Sequence, residues 1–116
     1  MAELAHLQED LPPERVAELL REGKVELVDV REPYEHDAGR IAGAGHVPLD
    51  RLTQEAESFE RERPLVFYCR VGSRSAMATQ AFRAAGFDAY NMAGGIAAWV
   101  ERGLPIEPDG GRVAEH

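Results

Sequence analysis

The residues best placed to do chemistry lie in one stretch, Leu65-Val66-Phe67-Tyr68-Cys69-Arg70-Val71-Gly72-Ser73-Arg74-Ser75-Ala76, which contains the only cysteine of the chain. Four apolar residues precede the thiol and a helical pattern follows it, so Cys69 is expected at the carboxyl end of a buried strand, in a turn that leads into a helix. Backbone N–H groups in such a turn converge on one point, and the helix dipole adds partial positive charge there. Those donors, with Arg70 and Arg74 nearby, favour the thiolate over the thiol. The same cradle would hold an anionic group delivered to the sulfur. A lone cysteine is ordinarily a small buried hydrophobe. Two arginines, a glycine and two serines make a poor core but good material for an anion-binding loop. Gly72 supplies the backbone freedom that so tight a loop needs.

Other candidates are weaker. His6, His36, His46 and His116 have no metal-ligand spacing and no second cysteine to join them, so they read as surface or structural histidines. Gly43, Gly45, Gly94 and Gly95 fit no G-x-G-x-x-G pattern, and no Walker lysine follows them, so they read as turn formers. Asp29 and Arg31, at a strand end, read as an ion pair tying the strand to the loop beyond it. Trp99 reads as core.

The elements that must position the loop follow from periodicity. Residues 11–23 form a short amphipathic helix, with Val16, Leu19 and Leu20 on one face, Pro12 and Pro13 at the entrance and Gly23 at the exit. Residues 25–30 form a strand covered on both faces. A long ordered connection with Gly39, Gly43 and Gly45 ends in an extended segment, 46–49. Asp50 caps a surface helix running to about Glu62. The strand 65–68 precedes Cys69, and a helix over 75–85 follows with Ala78, Ala81, Phe82 and Ala85 on one face. A strand over 87–92 and a helix over 96–102 complete the pattern. Strands alternating with helices predict an α/β fold: a three-layer sandwich with a central, mostly parallel sheet flanked by helices. In such sheets, ligands sit at the carboxyl ends of strands. The domain is expected over 11–108, with short polar tails at 1–10 and 109–116, the second of them loose.

Length and composition narrow the function classes. The chain has 116 residues, enough for one domain, and 44% hydrophobic with 29% charged residues fits an ordinary globule. Thirteen Lys and Arg against 21 Asp and Glu leave a formal net charge of −8, which argues against nucleic acid as a partner. No run of about eighteen apolar residues could span a membrane. Residues 1–10 carry Glu3, Glu9 and Asp10 and no long apolar run, unlike a secretory signal or transit peptide. One cysteine allows no intramolecular disulfide and suits a reducing compartment, so a cytoplasmic location is expected.

Four ordered blocks, over about ninety residues, resemble the rhodanese family. They are Leu27-Val28-Asp29-Val30-Arg31-Glu32-Pro33-Tyr34-Glu35, the segment from Gly39 to Leu49, Cys69-Arg70-Val71-Gly72-Ser73-Arg74-Ser75, and Met92-Ala93-Gly94-Gly95-Ile96-Ala97-Ala98-Trp99 with Gly103-Leu104-Pro105. Arg40 and Ala42 depart from the usual His and Pro of the second block. The resemblance implies a thiosulfate sulfurtransferase in which Cys69 attacks the sulfane sulfur of a donor, releases sulfite and holds the sulfur as a persulfide. Cyanide or a thiol then removes it, in two half-reactions with ping-pong kinetics. It implies that Arg70 and Arg74 bind the anionic donor, and that N–H groups along Arg70, Val71, Gly72, Ser73, Arg74 and Ser75 stabilise the charged sulfur. It implies no metal or organic cofactor. Two loop arginines favour thiosulfate, which carries two negative charges.

Two alternatives stand beside this reading. Cysteine phosphatases and arsenate reductases use Cys-x5-Arg, whereas Arg74 is five positions after Cys69, a loop one residue tighter, and Tyr68 stands where a phosphatase usually has histidine. The other alternative is a persulfide carrier or regulatory sulfur-binding module with little turnover, handing its sulfur to a protein acceptor. With no second cysteine, a persulfide on Cys69 cannot be resolved within the chain and must leave to an external acceptor. An exposed thiolate is expected to be prone to over-oxidation.

Overall fold

The structure, a computed structural model, describes residues 9–116. Its strands are β1 (Asp10–Leu11), β2 (Glu26–Asp29), β3 (Gly45–His46), β4 (Leu65–Tyr68) and β5 (Ala89–Met92), and its helices α1 (Pro13–Arg21), α2 (Pro33–Ala38), α3 (Leu52–Glu55), α4 (Ser73–Ala84) and α5 (Gly95–Glu101). The strands form one sheet in the order β1-β5-β4-β2-β3, with every neighbouring pair parallel.

β4 pairs with β2 on one side and β5 on the other, and all four of its residues are buried, as its unbroken apolar run requires. Its side chains alternate between the two layers. Val66 and Tyr68 pack with Val16 and Leu19 of α1 and Ile96 and Trp99 of α5. Leu65, Phe67 and Cys69 pack with Leu52 of α3, Ala78 and Phe82 of α4, and Phe59. Helices therefore cover both faces, and the sandwich expected from the sequence is present. The thiol faces the α4 layer.

Four expectations are corrected. The helix expected from Asp50 to Glu62 is broken into a 3-10 turn over Leu49–Arg51, α3, and a second 3-10 turn over Ala56–Ser58. Ser58 Oγ donates to the Glu55 carbonyl at 2.6 Å, competing with helical pairing, and Phe59 turns extended and inward to reach the core. The long connection contains α2, whose start is a capping box: Glu32 caps it, the Glu35 side chain accepts from the Glu32 N–H, and Pro33 occupies the first turn. Residues 1–10 are not all tail, because Asp10 joins the sheet edge and the Glu9 carbonyl accepts from Asn91 N at 2.8 Å.

Nor is the segment 109–116 loose. Arg112 N donates to the Ala38 carbonyl at 2.9 Å, the Tyr34 hydroxyl donates to the Glu115 carbonyl at 3.1 Å, and Ala114 is buried. The tail crosses Gly39 so closely that a Cβ there would stand 2.3 Å from the Arg112 carbonyl oxygen. Its backbone finds partners that its composition does not announce. Among the described residues, no helix is long and apolar enough to cross a membrane.

Candidate active site

Cys69 follows β4 directly, and the chain then turns through Arg70, Val71 and Gly72 into α4. Gly72 has φ +104°, a left-handed conformation that side chains rarely adopt, and its N–H donates to Cys69 Sγ at 3.1 Å. Ser75 adds two donors, its N–H and its hydroxyl, each 3.4 Å from Sγ. The first-turn N–H groups of a helix have no intrahelical partner, so Ser75 N is free to serve the sulfur. Three donors thus face one sulfur, where they would stabilise negative charge. Cys69 itself is wholly buried, at 0% exposure, rather than exposed as the sequence led us to expect.

The carbonyl side of the loop is held by α5. Ile96 N donates to the Cys69 carbonyl at 2.9 Å and Ala97 N to the Arg70 carbonyl at 3.0 Å. This contact requires Gly95: a Cβ on it would lie 2.4 Å from both carbonyl oxygens, and its φ is +63°. The Gly94-Gly95 pair therefore does more than turn the chain. Gly95→Ala should cost about 2–4 kcal/mol, from overpacking and a disfavoured φ together, and should displace the cysteine loop. Urea unfolding that leaves the variant within about 0.5 kcal/mol of the parent, the size of a surface change, would refute this placement.

The two loop arginines have different surroundings. Arg74 Nη1 and Nη2 donate to Glu35 Oε1 and Oε2 at 2.8 and 2.9 Å, a bidentate pair between α4 and α2. The hydrogen bonds and charge of Glu35 raise the Arg74 pKa further. Burial works to raise the Glu35 carboxyl, but Arg74 and the Glu32 N–H outweigh it and hold that carboxyl below its usual range. Arg74 therefore fastens the loop to α2 rather than offering an unpaired charge. Arg70 is half-buried, and its side chain has no hydrogen bond or ion pair to another described residue. Val71 and Ser73 are exposed on the loop.

Behind α2 lies a second charged cluster. Arg31 and Asp29 are both fully buried and pair through Nε to Oδ1 at 2.9 Å and Nη2 to Oδ2 at 2.7 Å, and Arg31 Nη2 also reaches the Gly39 carbonyl at 2.8 Å. His36 Nδ1 lies 2.9 Å from Asp29 Oδ2, His46 Nε2 lies 2.9 Å from the Arg31 carbonyl, and the two rings stack at 4.1 Å. These are structural histidines, and the pair ties strand to loop as the sequence indicated. Tyr68 points to the opposite layer, where its hydroxyl accepts from Ile41 N at 3.2 Å; burial pushes its phenol well above the ordinary value. His6 lies outside the described residues. No group of three or more His, Cys, Asp or Glu that could hold a metal is found among the described residues.

An acid limit on stability follows. Burial raises the Asp29 carboxyl, yet the Arg31 hydrogen bonds and charge, with His36, bring it below the usual value, as Arg74 does for Glu35. In the unfolded chain both carboxyls titrate near about 4. Below that pH the unfolded chain binds protons that the folded one refuses. The stabilisation is therefore complete above the unfolded value and is lost as pH falls through the folded ones. Urea midpoints should be flat from about pH 5 to 7 as far as these groups govern them, and fall below about pH 4. In Asp29→Asn the acid slope should shrink, and an unchanged slope would contradict the assignment.

The residues 12–102 match the rhodanese-like domain model. The chain belongs to the rhodanese family. A Bacillus subtilis protein, YqhL, is 39% identical over 77 residues, covering 66% of this chain and 61% of that protein. A protein named sulfurtransferase from Allochromatium vinosum is 38% identical over 86 residues, covering 72% of this chain and 80% of that one. The crystal structure of a rhodanese-related protein from Thermoplasma volcanium superposes with a TM-score of 0.80 at 28% identity, covering 86% of this chain and 98% of that one. This rhodanese-like chain spans about three fifths of the length of the first two curated relatives it matches. Two of the curated relatives carry sulfurtransferase in their names.

The structure brings the Gly72 and Ser75 donors to the Cys69 sulfur and leaves the Arg70 side chain without a partner among the described residues, while Arg74 turns to Glu35. Sequence reasoning assigned no site role to Glu35 or Asn91 and read Gly95 only as a turn former. Asn91 Nδ2 donates to Asp10 Oδ1 at 3.0 Å and lies 3.4 Å from the Gly72 carbonyl, linking the loop to the sheet edge. Glu35 had a signal in the capping pattern Glu32-Pro33-Tyr34-Glu35, and Gly95 in its nearness to a helix start. Asn91, inside an apolar strand, was an unusual residue for a core.

Proposed function

We propose that this chain moves a sulfane sulfur from an anionic donor, such as thiosulfate, to a nucleophilic thiol or cyanide acceptor through a persulfide on Cys69. The observation that carries the reading is the convergence of Gly72 N, Ser75 N and Ser75 Oγ on a single sulfur at a strand end. In the first half-reaction Sγ attacks the outer sulfur of thiosulfate, the S–S bond of the donor breaks, and sulfite leaves with the electron pair. In the second, the acceptor attacks the outer sulfur of the persulfide and Cys69 regains its thiolate. Each step exchanges one bond to sulfur for another, so the reaction as proposed draws on no metal or organic cofactor. The same donors stabilise the charged sulfur in both halves.

A reducing compartment such as the cytoplasm suits a chain whose only cysteine is its nucleophile. A protein thiol would accept the sulfur by the same chemistry as a small thiol. The phosphatase alternative loses support because the guanidinium that would clamp phosphate oxygens is held by Glu35.

Steady-state assays with thiosulfate and cyanide test the proposal. Parallel double-reciprocal lines, with thiocyanate and sulfite formed in equal amounts, are expected. Hydrolysis of a phosphomonoester that needs Cys69, without persulfide formation, would replace it. A persulfide that forms but is discharged only by a protein thiol would favour the carrier reading.

A further inference from the structure

We propose that a second site, on the face of the sheet away from the thiol, binds a small apolar carboxylate, a single carboxylate group on a compact hydrocarbon body. A cavity of about 610 Å³ opens between α1, the end of α5 and the turn before β3. That volume falls within the range of small-molecule sites, about 300–1,000 Å³. Ile41 and Trp99, 2% and 4% exposed, line it and belong to the cluster packed around Val66 and Tyr68. Cys69 belongs to the cluster on the other face, so the cavity is separate from the cysteine loop.

Small side chains leave the space, and hydrogen bonds hold its walls. Ala17 on α1, with Ala42 and Gly43 in the turn, fills little volume. Ala44 N donates to the Ile41 carbonyl at 3.3 Å, and Ile41 N to the Tyr68 hydroxyl at 3.2 Å. Beyond α5, Trp99 Nε1 donates to the Pro105 carbonyl at 2.8 Å and Leu104 N to the Trp99 carbonyl at 3.2 Å. These contacts fix both backbone segments that border the cavity.

One charge decides the ligand. Among the described residues Arg21, at the end of α1, is the only charged residue lining the cavity, and no carboxylate lines it. The Arg21 side chain is exposed and has no hydrogen bond or ion pair to another described residue. The carboxylates nearest to it in sequence are engaged with other cations, Glu18 with Arg15 at 2.7 Å and Glu22 with Lys24 at 3.5 Å. In a chain of net charge −8, an apolar cavity bordered by a lone guanidinium selects an anion. One guanidinium matches one carboxylate, and the apolar wall takes the hydrocarbon. A dianion would carry a charge that nothing there matches.

Trp99 is the only tryptophan, so its fluorescence reports on the cavity directly. The probe is octanoate, which neither absorbs nor emits where tryptophan does, with octanol as its uncharged counterpart. Octanoate should change the emission saturably, and the amide chemical shifts of Ala42 and Gly43 should follow the same curve. Arg21→Gln, at an exposed position, should weaken octanoate about three- to fivefold, the size of an exposed ion pair, and leave octanol within about twofold. Ala17→Leu, which fills the cavity from α1, should abolish both. Cys69→Ser should bind octanoate as the parent does. No saturable response in either readout up to about 10 mM octanoate, or binding that survives Ala17→Leu, would overturn the site. An octanoate affinity that Arg21→Gln leaves unchanged would overturn the choice of an anion, and loss of binding in Cys69→Ser would move the carboxylate to the cysteine loop and overturn a second site.

Discussion

Cys69→Ser should abolish sulfur transfer, with a fall on the order of 10^4 or more in turnover, as expected when a covalent nucleophile is removed. The serine hydroxyl occupies nearly the same place and can accept from the Gly72 and Ser75 donors now aimed at Sγ, so the fold should survive. An oxygen nucleophile in this loop cannot hold the sulfur as a persulfide. Thiosulfate-to-cyanide turnover, read beside the urea midpoint of the same preparation, separates lost chemistry from lost folding. A Cys69→Ser variant that folds and still forms thiocyanate at a tenth of the parent rate, a bound of roughly one decade in rate, would contradict the role given to the sulfur.

The second large effect concerns the pair that anchors the loop. Arg74→Ala strands Glu35, whose side chain is 0% exposed, whereas Glu35→Ala strands Arg74, which keeps 14% exposure and can swing toward water. Breaking a buried pair by removing one partner costs about 3–5 kcal/mol, and the Arg74 variant should lie in that range. Glu35→Ala should cost less, about 1–3 kcal/mol, because the stranded charge can rehydrate. The two losses should not add in the double variant, which leaves no stranded charge. Acidification should restore part of the stability of Arg74→Ala, because the stranded carboxyl neutralises as it takes up a proton. Equal costs for the two single variants, or additive ones, would show that the pair is not a closed unit. Both variants should also slow transfer, because α2 no longer fixes the start of α4.

Much of this was legible beforehand. β4 and the cysteine loop were read within a residue, because four apolar residues bounded by Pro64 and Cys69 leave little freedom. α1, α4 and α5 followed from their apolar spacing and their terminal glycines. α2 was hidden because Pro33 reads equally as the end of a strand and the first turn of a helix, and only the reciprocal Glu32 and Glu35 contacts decide. The helix from Asp50 fails because its apolar spacing tolerates 3-10 turns that keep Leu52 and Phe59 inward. At the site, residue types located the cysteine loop, and the structure places Gly72 and Ser75 donors against its sulfur. They could not locate the partner of Arg74, since Glu35 is 39 positions away and only the fold brings it near. Charge counted along the sequence therefore overstated the cationic character of the loop.

The central claim is that Cys69 takes up one sulfur atom. Intact-mass measurement of the purified chain after incubation with a sulfane-sulfur donor, followed by cyanide, tests it most directly. The account predicts a gain of one sulfur on the peptide containing Cys69, lost on adding cyanide with formation of thiocyanate, and absent in Cys69→Ser. An unchanged mass with both thiosulfate and an organic persulfide, on a folded protein with a free thiol, would contradict it.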